Sequence, residues 1–387
     1  MDIGIGVSKN KDISSALKEV VLTARQNLNN QTPDIGFLFS SADFASPSLL
    51  KGLHLYLPKI PIVGISTFAV LFNSSILRHS LALCLIHSEN LKLSFAKVEE
   101  VKKNDPFMVG YKLATKLLEG LKSQNRSFAF LFLSGIIKDG SRILSGLQEK
   151  LGINFPIIGA CASDNFKFKQ MYLYFNDELL TDAVVGVLFG GKISYNFSFA
   201  CGFSPIGKFH KVTSSQANII KEIDNQPAIN LYKDYFGLDN SLLKNYLKYI
   251  STFYPLGIYL KEENKYLLRK IISIEEKGWL TCQTDVPQDS LIRLMISTRQ
   301  SCLSATENAV KELIKEKINM DILFVFNSIS HYSLLYRIAD EELKTIQSTI
   351  KIPLIGVYTY GEQAPLRRYP AKTYFHNQSL VLTAIGD

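Results

Sequence analysis

Three stretches of this chain open alike: Pro61-Ile62-Val63-Gly64, Pro156-Ile157-Ile158-Gly159 and Pro353-Leu354-Ile355-Gly356. Each closes the same succession of signals. An amphipathic helix comes first, then an all-apolar run of strand length, a polar exit, a second helix and the proline. The apolar runs are Asp34–Phe39, Phe128–Leu133 and Asp321–Phe326. Continuous apolar runs of this length suit strands covered on both faces, as in parallel sheets with helical crossovers. A fixed order met three times reads as an internal repeat, which restricts the fold to copies of one unit packed together.

The helical signals are explicit. Asp12 stands as a cap before Ile13, Leu17, Val20, Val21, Ala24 and Leu28, and Asp105-Pro106 opens the helix carrying Tyr111, Ala114, Leu117 and Leu118. In the third copy Ser304 and Glu307 read as a capping box for the helix through Leu303, Thr306, Val310 and Leu313. After each proline segment a hairpin is expected. One turns at Asn73-Ser74, one at Asn176-Asp177 between Met171–Phe175 and Ala183–Phe189, and one at Asn377-Gln378 between Thr373–His376 and Ser379–Ile385. The spacing of the prolines points to a degenerate fourth copy at Pro255-Leu256-Gly257.

A chain of 387 residues exceeds the ~250–300 at which single cores stop growing. The glycines and proline of Gly202–Gly207 mark a boundary. The expectation is an α/β fold, with α+β as the alternative, built from repeated helix-strand-helix-strand-hairpin units in two mixed-sheet domains. Residues 1–201 hold two copies, and residues 202–387 hold one clear and one degenerate copy.

Charge and composition narrow the function. The net charge is +8, but the basic residues are scattered; Lys102-Lys103 and Arg367-Arg368 with Lys372 are the densest spots. No nucleic-acid partner is expected. No apolar run approaches the ~18–20 residues of a membrane helix, and Met1–Val7 reads as a first strand rather than a leader. The five cysteines and six histidines show no ligand spacing, so no metal or disulfide framework is expected, and the setting reads as cytoplasmic. No P-loop, G-x-S-x-G or dinucleotide fingerprint is present, so no cofactor is expected.

Candidate contacts lie where strands end in loops. Glu362, Tyr360 and Gly361 follow the third proline segment, and Ser163 and Asp164 follow the second. Each carboxylate has two readings, a ligand contact or a cap on backbone amides. Arg269 reads either as a partner for a ligand carboxylate or as one half of an internal ion pair. Cys161 is the thiol of a motif loop, either a small buried hydrophobe or a nucleophile.

Taken in order, several stretches resemble the FIST domain in its N-terminal and C-terminal halves. They are Pro156–Gly159 with Ala162-Ser163-Asp164, then Glu222–Ala228, Tyr232 and Phe236-Gly237. Pro255-Leu256-Gly257 with Arg269 and Tyr358–Glu362 with Pro365 complete the set. The resemblance spans roughly residues 30–366. It departs from the family pattern at Asn225, where Gly is favoured, at Ile65–Val70, and at Asn327–His331, where a Cys- and Arg-marked stretch is usual. The resemblance implies a non-enzymatic sensory module that binds a small molecule, an amino acid or related metabolite, and signals through a partner protein. Its ligand contacts would be Glu362, Tyr360, Gly361, Ser163, Asp164 and Arg269. The alternative is a hydrolase or transferase using Cys161 or a strand-exit serine such as Ser134 or Ser163. The oligomeric state is left open.

Overall fold

The computed structural model describes residues 1–57, 60–122, 125–135, 137, 139–367 and 371–387; Arg368 lies outside them. Each copy begins with a leading strand: Asp2–Ser8, Leu91–Glu99 and Ser194–Ala200. A helix then leads to the central apolar strand, Ile35–Ser41, Arg126–Leu133 or Ile322–Ser328. Further helices lead on to the glycine strand, Ile62–Thr67, Ile157–Cys161 or Leu354–Thr359. Central and glycine strands pair in parallel in all three copies. A return strand, Leu81–His87, Ala183–Gly191 or Leu380–Gly386, fits antiparallel between the central and leading strands. The fold is α/β with mixed sheets, as the repeat implied.

The hairpin after each glycine strand is not kept in its own sheet. The hairpin Val70–Phe72/Ser75–Leu77 of the first copy pairs with the glycine strand of the third. Leu173–Phe175/Glu178–Leu180 of the second pairs with the first. Glu362–Pro365/Thr373–His376 of the third pairs with the second. Three six-stranded sheets therefore close a cyclic exchange. Two expected hairpins are corrected by this. The strand Ala183–Gly191 is a return strand, not the partner of Leu173–Phe175. Likewise the Asn377-Gln378 turn passes the chain from one sheet to another rather than joining neighbours.

The P-x-x-G motif now has a physical cause. The proline carbonyls of Pro61, Pro156 and Pro353 accept the amides of Gly36, Ala129 and Leu323, which set the parallel register. A Cβ on Gly64, Gly159 or Gly356 would lie 1.8, 1.8 or 2.1 Å from the carbonyl oxygen of Leu38, Leu131 or Val325 on the central strand. One position before those residues stand Phe37, Phe130 and Phe324. Their rings meet pairwise at 5.9, 5.0 and 5.3 Å, one from each copy, in the shared core.

The fourth copy is not there. Pro255 precedes Leu256–Leu260, which pairs antiparallel with both Lys265–Arg269 and Leu291–Ser297. It belongs to an eight-stranded sheet between Phe203 and Ser297, whose pairings are all antiparallel. That sheet, with helices Asn230–Phe236 and Asn240–Phe253, is inserted between the leading strand and first helix of the third copy. Because Ser194–Ala200 pairs with Leu380–Gly386, hydrogen bonding of the third copy runs across residue 201. The helix after the insertion is Arg299–Ile314, capped by a Thr298/Ser301 box rather than by Ser304 and Glu307. The polar exit after the third apolar run, Asn327–Ser330, is not a loop but the end of a strand and the start of helix Ile329–Leu335, with Ser328 as N-cap. No helix among the described residues is long and apolar enough to cross a membrane.

Candidate functional site

The loops after the three glycine strands meet and interlock. Ser163 Oγ donates to the carbonyl of Tyr358 (2.6 Å) and accepts the Phe68 amide (3.0 Å), so one serine ties all three copies. Thr67 Oγ1 donates to the same Tyr358 carbonyl at 2.8 Å, and Ser66 Oγ donates to the carbonyl of Ser163 at 3.1 Å. The Cys161 amide donates to the Gly361 carbonyl at 2.8 Å, and a Cβ on Gly361 would press on Phe375 at 2.9 Å.

The carboxylates are engaged by the chain itself. Asp164 accepts the amides of Lys167, Phe168, Lys169 and Gln170 at 2.9–3.1 Å, and the Tyr360 hydroxyl at 2.6 Å. Burial pushes its pKa up, but Tyr360 and those amides outweigh it and hold the carboxyl below its ordinary value. Phe168, carried on the loop that Asp164 holds, stacks on Tyr360 at 4.4 Å. Glu362 is fully buried; Thr359 Oγ1 contacts one oxygen, and Ser379 donates to the other from Oγ (2.7 Å) and N (3.3 Å). Burial pushes its pKa up to about 7 against those hydrogen bonds and the nearby His331. Arg269, 1% exposed, donates to the carbonyls of Asp285, Leu268 and Phe375 and so fastens the inserted sheet to the third copy's hairpin. Its partners are carbonyls rather than the carboxylate of an ion pair.

Of the possible nucleophiles, the Cys161 thiol is 1% exposed and pushed well up in pKa by burial and by Glu362, while accepting from Gln363 Nε2 at 3.6 Å. Ser134 Oγ is held at both ends by the backbone of Ala183.

Next to this interlock the inserted sheet contributes two cations that the sequence reading passed over. Lys270 adjoins Arg269, and its Nζ donates to Ser330 Oγ at 3.1 Å. Burial, and then the charge of Lys248, lower its pKa to about 8. No carboxylate among the described residues forms an ion pair with either lysine. Lys248 lies over the Phe166 ring at 5.0 Å, and Phe166 joins Phe68 (5.1 Å), which in turn packs on Tyr332 (4.8 Å). Aromatic faces from all three copies thus stand beside the lysines of the insertion. Gln378 Nε2 donates to the carbonyls of Ser251 and Thr252 on the Lys248 helix, while Gln378 Oε1 and Ser251 Oγ are buried without a hydrogen-bond partner among the described residues. A surface depression of about 640 Å³, lined by Lys208, His210, Asp224 and Asp234 among others, lies on the insertion and none of these loops lines it.

Behind the lysines is a second unforeseen group, Cys302, His331 and Glu342, all fully buried. His331 and Glu342 form an ion pair at 2.9 Å. Burial opposes the charge on each, but Glu342 and Cys302 hold the imidazole pKa well above its ordinary value, and His331, Asn327 and Thr306 hold that of Glu342 below. These residues are 11 to 40 positions apart, so no local spacing could have exposed them.

Known proteins place the chain. The FIST N domain profile matches residues 34–226 and the FIST C domain profile matches residues 228–365. An uncharacterised protein of Methanocaldococcus jannaschii is 24% identical over 264 residues, covering 64% of this chain; the chain spans about half, 50%, of that relative. An uncharacterised protein of Mycobacterium tuberculosis is 20% identical over 390 residues, 96% of this chain and 97% of its own length. FIST domains are recognised as sensory, ligand-binding domains of signal transduction. With both halves matched in order over most of its length, the chain belongs to the FIST family.

Proposed function

We propose that this chain is a non-enzymatic sensory protein that binds a small carboxylate-bearing metabolite, of the amino-acid class, where the three repeat loops meet the inserted sheet. The observation that carries this reading is the Lys270 ammonium, half-buried near the exposed Lys248, with Ser330 as its hydrogen-bond partner and no anion among the described residues paired to it. Partly burying an unpaired ammonium near a second cation is unfavourable, and a ligand carboxylate beside Lys270 and within reach of Lys248 reverses the sign of the interaction. Gln378 Oε1 and Ser251 Oγ, buried acceptors without partners among the described residues, suit the ammonium of the same ligand. Phe68, Phe166 and Tyr332 supply apolar faces for its side chain.

In this reading Ser163, Asp164, Tyr360, Gly361, Glu362 and Arg269 form the rigid wall of the site, because their polar groups already bind one another and the backbone. The output passes to a partner protein, and binding is not followed by turnover. What supports the last point is that the Cys161 thiol is buried and kept protonated.

The test is a thermal-shift screen of the full chain at pH 7 against amino acids and other small carboxylates. A ligand at 100 times its Kd stabilises by about 2.7 kcal/mol, a readily measured rise in Tm. Lys270→Gln is expected to abolish the response and Lys248→Gln to weaken it. A hit that raises the Tm of Lys270→Gln as much as that of the native chain would remove the proposed site.

A further inference from the structure

We infer that Cys302, His331 and Glu342 form a binding site for one divalent transition-metal ion of the zinc type, clamping three helices of the third copy. The ligands come from helices Arg299–Ile314, Ile329–Leu335 and Asp340–Thr349. Their donor atoms lie within 4.8 Å of one another: Cys302 Sγ to His331 Nδ1 is 3.4 Å, Cys302 Sγ to Glu342 Oε1 is 3.6 Å, and His331 Nδ1 to Glu342 Oε1 is 2.9 Å. Around a tetrahedral zinc, bonds of ~2.0–2.3 Å put such atoms about 3.3–3.6 Å apart. Two edges already match, and the third opens by about 0.4 Å when the ion replaces the proton between them.

The surrounding groups orient the ligands as a metal site requires. His331 Nε2 faces the carbonyl of Gln378 at 3.2 Å, which keeps its proton on that nitrogen and leaves Nδ1 for the ion. Thr306 Oγ1 donates to Glu342 Oε1 at 3.0 Å, and Asn327 Nδ2 donates to Oε2 at 2.8 Å. A thiolate, a neutral imidazole and a carboxylate suit zinc or cobalt better than magnesium or calcium. Loading forms one S–metal, one N–metal and one O–metal bond in place of waters of the hydrated ion, which keeps one water as its fourth ligand. It releases the thiol proton and the Nδ1 proton to solvent, with no change of oxidation state. The two anionic ligands then balance the ion, so the buried site carries no net charge. Because the three side chains are fully buried, the ion enters as the third copy folds.

The experiment is refolding of the full chain from denaturant with Co²⁺ and, separately, with Zn²⁺. One tightly held Co²⁺ per chain is expected, with intense tetrahedral visible absorption and a near-ultraviolet thiolate-to-cobalt band. Cys302→Ala should lose the thiolate band. Thr306→Val, which keeps all three ligands, should bind 10–100-fold more weakly while retaining the native circular dichroism. Lys270→Gln should bind the ion as the native chain does, which separates this site from the proposed metabolite site. Cobalt spectra without a thiolate band, or a band unchanged in Cys302→Ala, would overturn the inference.

Discussion

At the scale of the residue, Glu362, the first residue of the third copy's exchanged hairpin, shows how burial can favour the neutral form of a carboxyl against the hydrogen bonds that hold it. Thr359 Oγ1 has one proton and faces two acceptors, the carbonyl of Asn327 at 3.3 Å and Glu362 Oε1. If Glu362 is ionised, Thr359 satisfies only one of them. If Glu362 is protonated, it donates to Thr359, which passes its own proton to Asn327, while Ser379 serves the other oxygen. The folded pKa of about 7 lies above the ordinary 4.5, so the folded chain holds the extra proton. Stability from this group is therefore full below pH 4.5 and lost as pH rises toward 7, by at most about 3 kcal/mol. Glu362→Gln preserves the neutral hydrogen-bond pattern. It is expected to flatten that slope and to match or exceed the native chain at pH 8, as measured by urea unfolding at pH 5, 6, 7 and 8. Parallel pH slopes in the two proteins would refute the assignment. That Glu362, Asp164 and Ser163 sit in converging loops was legible from their places after the proline segments. Cys302, His331, Glu342 and Lys270 were not, because their neighbours come from other elements far along the chain.

At the scale of the element, the glycine strands show which signals a local pattern can carry. The P-x-x-G segments were readable because close backbone contact within one copy demands a residue without a Cβ at the glycine. Two of the turns were readable for a similar reason: Asn73 and Asn176 adopt φ of 50° and 54°, which Asn tolerates well. Two strand partners were misread: the Asn176 turn closes on the short strand Glu178–Leu180 rather than on Ala183–Gly191, and the strands flanking Asn377-Gln378 lie in different sheets, so that turn sets no pairing. The fourth copy failed on the same ground, since a proline spacing says nothing about whether the strand that follows pairs in parallel. Gly159 then offers a sharp test of the element. A methyl there meets Leu131 O at 1.8 Å and Leu131 C at 2.7 Å, both backbone atoms of the central strand that cannot turn aside. Gly159→Ala is expected to cost about 3 kcal/mol or more, as overpacking against backbone does. Gly152→Ala is the control. Nothing stands within 4 Å of its would-be Cβ, but its φ is +110°, so it isolates backbone strain from steric clash. Equal losses in denaturant midpoint for the two variants would contradict the close-approach explanation.

At the scale of the whole molecule, the cyclic exchange of hairpins makes the three copies one cooperative body, while the inserted sheet is topologically dispensable. A fragment ending at residue 201 keeps two copies but removes the Glu362–His376 hairpin from the second sheet and leaves the Val70–Leu77 hairpin without its host strand. It also breaks the ring of Phe37, Phe130 and Phe324, each buried at 0% exposure. Loss of one such ring contact set costs several kcal/mol, on the order of the 3–5 that Phe→Ala costs in a core. Unpaired edges then favour association over folding. This fragment is expected to be aggregated or to lack a cooperative transition. Excision of residues 203–297 is the contrasting case. Phe203 pairs with Ser297, and Ser297 Oγ donates to the Gly202 carbonyl at 2.8 Å, so the cut ends are neighbours and a short Gly-Ser joint spans them. All three ring sheets and their exchanged hairpins survive that cut, though Arg269 and Gln283 no longer cover the third copy's loop. The excised chain is expected to unfold in one transition at reduced stability and to bind Co²⁺ through the ring's own Cys302, His331 and Glu342. It should show no thermal response to carboxylates, because Lys248 and Lys270 leave with the insertion. Measuring both shortened chains by urea unfolding and ligand-induced Tm shift separates a ring that folds alone from a site that needs the insertion. A folded excised chain that still answers the same carboxylate as the full chain would place the metabolite site in the ring itself.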